Sequence, residues 1–217
     1  MVGREMMRVL LEHGYGDWEL LPAASERSSG RTVRYGSGER AMLSVKELLA
    51  SRPDYVLNAT EAEVALEWGS RFAEEGVYFI DNSSAWRMED GVPLVVPEIN
   101  ARRLARGKYI VANPNCSTIQ LVMVLAPLHT ANPIRRVHVS TYQAVSGSGV
   151  KGLRQMEQER LGEPVEEPAY GYRIDQNCIA QCDSFQENGY TKEEMKVANE
   201  TRKILEIPDL LISATAV

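Results

Sequence analysis

The 217-residue sequence predicts an α/β protein in which a doubly wound parallel sheet is followed by an α+β unit. Two observations predict it. Strand and helix patterns alternate as β-α-β over the first part of the chain, and that rhythm ends near Asn113, which places a domain boundary there and divides the chain into 1–113 and 114–217.

Taken in order, Val2–Glu12 carries Val2, Met6, Val9 and Leu10 at helical spacing, so the chain opens directly into a helix. A strand pattern at Trp18–Ala24 follows, then a Ser/Gly/Arg loop at Glu26–Thr32 and a helix at Ser44–Ser51. Asp54–Thr60 reads as a strand. Glu61–Glu75 places Val64, Ala65, Trp68 and Phe72 on one helical stripe, and Gly76 stops it before a strand at Val77–Ile80. Tyr109–Ala112 is a strand that breaks at Asn113-Pro114, and Ser117–Thr130 is a helix. In Arg136–Val145, Val137, Val139 and Thr141 alternate with His138, Ser140 and Tyr142, a strand pattern; Lys151–Glu159 and Lys192–Leu205 are amphipathic helices. Gly162–Tyr172, rich in Pro, Glu and Tyr, reads as a loop. A doubly wound sheet calls for a strand before the first helix, and Leu210–Val217 is an apolar run with no closing turn. Both units are therefore expected to be incomplete, cut at the N-terminal and C-terminal sides of a longer protein.

A formal net charge of −6, with no dense basic block, argues against a nucleic-acid partner and for a small-molecule one. No stretch reaches the roughly 20 apolar residues of a membrane span, and no signal peptide follows Met1. Three cysteines, Cys116, Cys178 and Cys182, are too sparse and odd in number for a disulfide scaffold and suit a reducing, cytoplasmic compartment. Cys178 and Cys182 have no histidine or second cysteine pair at zinc spacing, so no metal site is expected and both are read as ordinary core thiols.

Cys116 is different, because it stands where a strand has ended and an apolar helix begins. Backbone N–H groups at a helix N-terminus favour negative charge on sulfur and can also stabilise an oxyanion when that sulfur adds to a carbonyl. On chemistry alone the position reads equally as a nucleophile or as a small buried hydrophobe.

Five segments in order resolve this. Asp81–Met88 (DNSSAWRM), Val96–Asn100 (VPEIN), Asn113–Thr118 (NPNCST), Ser140–Gly149 (STYQAVSGSG) and Tyr190–Lys196 (YTKEEMK) resemble the aspartate-semialdehyde dehydrogenase family, and the likeness spans essentially the whole chain. The sister family of N-acetyl-glutamyl-phosphate reductases carries Asn-Pro-Gly-Cys-Tyr at the nucleophile, so Asn115 and Ser117 favour the aspartyl family. A non-catalytic relative has no chemical reason to keep Cys116, Gln143, Arg87 and Lys196 together.

The resemblance implies a Rossmann-like NADP-binding domain over 1–113 and a catalytic and dimerisation domain over 114–217. It also implies a homodimer or homotetramer that reduces aspartyl phosphate to aspartate semialdehyde with NADPH, for aspartate-family amino-acid biosynthesis (lysine, threonine, methionine and diaminopimelate). Cys116 matches the nucleophile that carries the thioester, and Gln143 the glutamine that positions the substrate. Arg87, Asn115 and Lys196 match positions that bind phosphate and acyl phosphate, and Glu193 the acid near the substrate amino group. Without the resemblance, Glu193 and Lys196 would read as an exposed i,i+3 ion pair. For the cofactor, Val2 is the tail of the glycine-rich turn, Arg27 and Ser28 suit the 2′-phosphate of NADP, and Ser146 and Gly147 match the nicotinamide side. Asn58-Ala-Thr departs from the small Ala/Gly-rich strand end of the family. The family's acid/base histidine and carboxylate-binding arginine lie beyond Val217, and His13, His129 and His138 fall outside its histidine motif, so the chain alone is expected to be inactive.

Overall fold

The computed structural model describes residues 2–25 and 30–217. The chain forms two compact units, Met1–Val95 with Arg102–Asn113 and Val96–Ala101 with Pro114–Val217.

In the first unit, α1 (Val2–Glu12) follows the predicted periodicity. The strand expected at Trp18–Ala24 does not form. Tyr15–Asp17 is a 3-10 turn, and only Ala23 makes a bridge, to Leu43. Pro22 has no N–H to donate to a ladder, and its carbonyl accepts from Leu43 N–H at 2.8 Å. Glu26–Ser29 of the expected loop lie outside the described residues, and Thr32, its last residue, opens a hairpin of β1 (Thr32–Tyr35) and β2 (Gly38–Ala41), which pair antiparallel. Gly36, at φ 56°, makes the turn that permits it. Next comes α2 (Val45–Ser51), started by a reciprocal box in which Ser44 accepts from Glu47 N–H and the Glu47 side chain accepts from Ser44 N–H.

A three-stranded parallel sheet follows, ordered β3 (Tyr55–Asn58), β4 (Tyr78–Asp81), β5 (Ile110–Ala112). Between β3 and β4 runs α3 (Ala62–Glu74), and Gly76 at φ 76° turns the chain back. The stripe on α3 buries Ala65, Trp68 and Phe72 against Leu48, Val77 and Phe79, the core of this unit. At the sheet's C-terminal end, Asn58 Nδ2 donates to the fully buried Asp81 at 2.7 Å, joining β3 to β4. The departure at Asn58 thus has a structural reason. Its Oδ1 also accepts from Thr60 Oγ1 at 2.8 Å, and Asp81 accepts from Ser83 N–H and Oγ, so this strand end is tied by side-chain hydrogen bonds.

The second unit contains the short α4 (Pro97–Asn100), which packs on α5 (Cys116–Ala131) and α7 (Lys192–Leu205). Two parallel strands, β6 (Arg136–Thr141) and β7 (Leu211–Ala216), pair along their whole length. Leu125, Val137 and Leu210 form the core between them and α5. A 3-10 turn at Val145–Ser148 leads into α6 (Gly149–Leu161). The predicted loop after α6 is irregular but anchored. The buried Gln155 accepts N–H bonds from Ala169 and Tyr170, and Glu159 accepts from Ile174 and Asp175. The expectation that Cys178 and Cys182 are core thiols is corrected. They lie in the irregular segment before α7, Cys178 exposed and Cys182 half-buried, in a stretch whose residues are mostly exposed. Among the described residues, no helix is long and apolar enough to cross a membrane and no cluster of three or more His, Cys, Asp or Glu could hold a metal.

Candidate active site

The site is built around the first turn of α5. Asn115 is the N-cap, with extended backbone (ψ 144°), and its Oδ1 accepts from Ser117 N–H at 2.9 Å and Thr118 N–H at 3.3 Å. Cys116, the first helical residue, is exposed, which a nucleophile requires and a core thiol would not show. The cap also corrects one expectation: the Ser117 and Thr118 N–H groups are engaged by Asn115. Of the first-turn donors, the Cys116 N–H is the one Asn115 leaves for an oxyanion.

Across from this turn stands α7, itself started by a box in which Thr191 and Glu194 exchange hydrogen bonds. One face of α7 carries Glu193, Lys196 and Glu200 at helical spacing. Asn115 Nδ2 donates to Glu193 Oε1 at 2.8 Å, and Asn115 N–H donates to Glu200 Oε2 at 2.7 Å. Gln143, just past β6, donates from Nε2 to the same Glu193 Oε1 at 3.2 Å. Since its amide nitrogen faces a carboxylate, its Oε1 points elsewhere, and that buried oxygen has no hydrogen-bond partner among the described residues. Lys196 Nζ lies 3.1 Å from Glu193 Oε2 and 3.2 Å from Asp183 Oδ2.

The exposed-ion-pair reading of Glu193 and Lys196 fails, because Glu193 is only 7% exposed. Burial pushes the Glu193 carboxyl up, but hydrogen bonds from Asn115 and Gln143 and the Lys196 ammonium outweigh it and hold it below the usual carboxylate range. Burial pushes Lys196 down, and Glu193 with Asp183 more than reverse it. Burial, then the charges of Glu193 and Asp183, push the Cys182 thiol up, away from the reactive thiolate. The arrangement thus presents an exposed sulfur at a helix N-terminus, an anchored carboxylate, a cation and an unused amide acceptor, all held by the second unit.

Arg87 belongs to the first unit. It is 8% exposed, and its guanidinium donates to the carbonyls of Asn113 (2.9 Å) and Asn82 (3.0 Å). In this structure it stitches the loop after β4 to the end of β5. Val2 is exposed at the start of α1, and a Cβ added at Gly3 or at Gly147 would meet nothing within 4 Å among the described residues. Both backbones are open to close approach by a cofactor, and Ser146 is exposed in the same 3-10 turn as Gly147. Arg27 and Ser28 lie outside the described residues. His13 and His138 are exposed, and His129 Nδ1 accepts from Ile134 N–H at 3.1 Å. Sequence reasoning missed Glu200 and Asp183. The signal for Glu200 was its position seven residues after Glu193, on the same helix face; Asp183 had none.

Two family models match: "semialdehyde dehydrogenase, NAD binding domain" over residues 1–106 and "semialdehyde dehydrogenase, dimerisation domain" over residues 125–217. All of this chain aligns with aspartate-semialdehyde dehydrogenase 2 of Vibrio cholerae (40% identical, covering 66% of that protein). It also aligns throughout with the aspartate-semialdehyde dehydrogenases of Vibrio mimicus (40%, covering 70%) and Aquifex aeolicus (42%, covering 66%). The crystal structure of aspartate semialdehyde dehydrogenase II from Vibrio cholerae matches with a TM-score of 0.92 at 41% identity, over 99% of this chain and 66% of that one. The same enzyme complexed with ASA also gives 0.92, at 40% identity over the same shares. The chain therefore spans about two thirds of the length of the relatives it matches.

Proposed function

The chain belongs to the aspartate-semialdehyde dehydrogenase family, and from that premise we propose that it carries the nucleophile of an NADPH-dependent reduction of aspartyl phosphate to aspartate semialdehyde, through a thioester on Cys116. The observation that carries the proposal is the convergence of Asn115, Gln143, Glu193 and Lys196 at the exposed Cys116.

In this reading the Cys116 sulfur attacks the acyl carbon, a carbon–sulfur bond forms, and the carbon–oxygen bond to phosphate breaks. Inorganic phosphate leaves with the electron pair. NADPH, when bound, supplies the hydride that the reduction needs. The Cys116 N–H faces charge that develops on the acyl oxygen, and the first turn of α5 accommodates the sulfur when it departs as thiolate. Glu193 and the unpartnered Gln143 Oε1 are both acceptors, a set that suits the substrate ammonium. Lys196 and Asn115 offer donors to the phosphoryl group, and Arg87 is proposed as a further anion ligand with its guanidinium already oriented by two carbonyls. For the cofactor we assign Val2, Arg27, Ser28, Ser146 and Gly147; the open approach at Gly3 and Gly147 supports a nucleotide close to the backbone. A homodimer or homotetramer in the cytoplasm completes the proposal. Met123, Val124 and Leu128, exposed along α5, are an apolar strip that subunit association would cover, and the unpaired thiols Cys116 and Cys178 suit a reducing compartment.

The test is phosphate-dependent NADPH formation from aspartate semialdehyde, by the protein as its gene encodes it, with N-acetylglutamate semialdehyde as the control substrate. Cys116→Ser is expected to lower turnover by about 10³-fold or more, since an alkoxide is far harder to generate than a thiolate. Turnover that survives Cys116→Ser, or a preference for the control substrate, would overturn the proposal.

A further inference from the structure

The face of α7 that carries Glu193 and Lys196 continues to Glu200, and we propose that Glu200 is a positioning residue for the Cys116 nucleophile. The proposal rests on the reading of Cys116 as that nucleophile. Glu200 is 1% exposed, and burying a carboxyl group so completely is costly unless its oxygens are engaged. Oε2 accepts the Asn115 N–H at 2.7 Å, a contact between residues 85 apart in sequence.

That N–H belongs to the residue just before the helix, so no carbonyl of α5 satisfies it. Asn115 is consequently held at three separate points. Glu200 takes its backbone N–H, Glu193 takes Nδ2, and the N–H groups of Ser117 and Thr118 hold Oδ1. Three such attachments fix both the position and the rotation of the peptide that leads into Cys116. The two carboxyl groups divide the work. Glu193 also binds Gln143 and Lys196, and so faces the groups that would meet a substrate. Glu200 reaches the main chain itself, and through it sets where Sγ begins its attack. A nucleophile displaced by even 1 Å can lose about a hundredfold in rate without a comparable loss of binding.

Glu200→Asp withdraws the acceptor by about one carbon–carbon bond, ~1.5 Å, while Glu200→Gln keeps an oxygen in place. Two readouts are taken on each protein: kcat and KM for the aldehyde, and the iodoacetamide alkylation rate of Cys116 relative to Cys178 in the same molecule, followed by mass spectrometry. Glu200→Asp is expected to lower kcat about 100-fold with KM changed less than about threefold, and to change the Cys116/Cys178 ratio about tenfold. Glu200→Gln should return both to within about threefold of the parent. If Glu200→Asp lowers the melting temperature but leaves kcat and the alkylation ratio at parental values, the role is structural and the proposal falls. Glu200→Thr is a second truncation: if both truncations fail to fold while Glu200→Gln folds with an unchanged ratio, the proposal falls as well. A parent protein inactive on the aldehyde would sink the assigned reaction alone, because the alkylation ratio still decides the role of Glu200.

Discussion

Replacing Asn115 tests the site most directly, because one side chain both caps α5 and braces Glu193. In Asn115→Ala the bonds to Ser117 and Thr118 N–H disappear, and loss of such a cap costs about 1 kcal/mol. The donor to Glu193 Oε1 disappears too, and a hydrogen bond to a charged group contributes about 1.5–3 kcal/mol. Glu193 keeps Gln143 and Lys196, so the lower end of that range applies and the total is about 2–3 kcal/mol. For a chain of this size that corresponds to a fall in melting temperature of about 4–12 °C. Asn115→Asp separates the two contributions. It retains the cap oxygen and adds a charge that a helix N-terminus favours, but sets a second carboxylate where Nδ2 now lies 2.8 Å from Glu193. Two carboxylates so close share a proton, so the folded state takes up protons more readily than the unfolded chain, and this variant should regain stability as pH falls from 7 towards 5. Urea denaturation followed by far-ultraviolet circular dichroism measures both effects. The reasoning is refuted if Asn115→Ala stays within about 0.5 kcal/mol of the parent, or if Asn115→Asp shows no gain at the lower pH.

The Glu193–Lys196 pair sets a pH window. Glu193, held below its ordinary value of 4.5, contributes stability that is present above that pH and lost below it, while Lys196, held above 10.5, contributes stability that is present below that pH and lost as pH rises through its folded value. Lys196→Met should therefore move the acid-side loss of stability to higher pH, read as urea midpoint against pH; an unmoved acid limb would dismiss the coupling. Gly152→Ala should disturb the turn that carries Ser146 and Gly147, because the new Cβ would lie 2.8 Å from Ser148 Cβ and 3.1 Å from Val145 O. Such overpacking costs about 1–3 kcal/mol, and the expected signature is a rise of about tenfold in KM for NADPH that exceeds any change in kcat. A lower melting temperature with KM unchanged would detach that turn from the cofactor.

What the sequence determined by itself was local. The bounds of α1 and α7 agree with their apolar periods residue for residue, and α2 begins where Ser44 and Glu47 make a box, because periodicity and capping depend on residues within a turn or two of each other. The start of α5 was legible to within one residue, expected at Ser117 and found at Cys116, because Asn113-Pro114 ends a strand; that Asn115 caps the helix came from the structure. Residue types at short range did not decide the rest. Trp18–Ala24 has the composition of a strand, yet whether it pairs depends on what its neighbour offers, and Pro22 withholds a donor from that neighbour. Cys182 looked like a core residue, and only the packing around the segment before α7 left it half-covered. Glu193 and Lys196 read as a surface pair at i,i+3 until tertiary structure brought Asn115 and Gln143 against them. Glu200 shows the limit most plainly. Its spacing could say which face of α7 it occupies, but what that face meets is a peptide N–H 85 residues away, and a contact of that kind exists only once the two helices have packed.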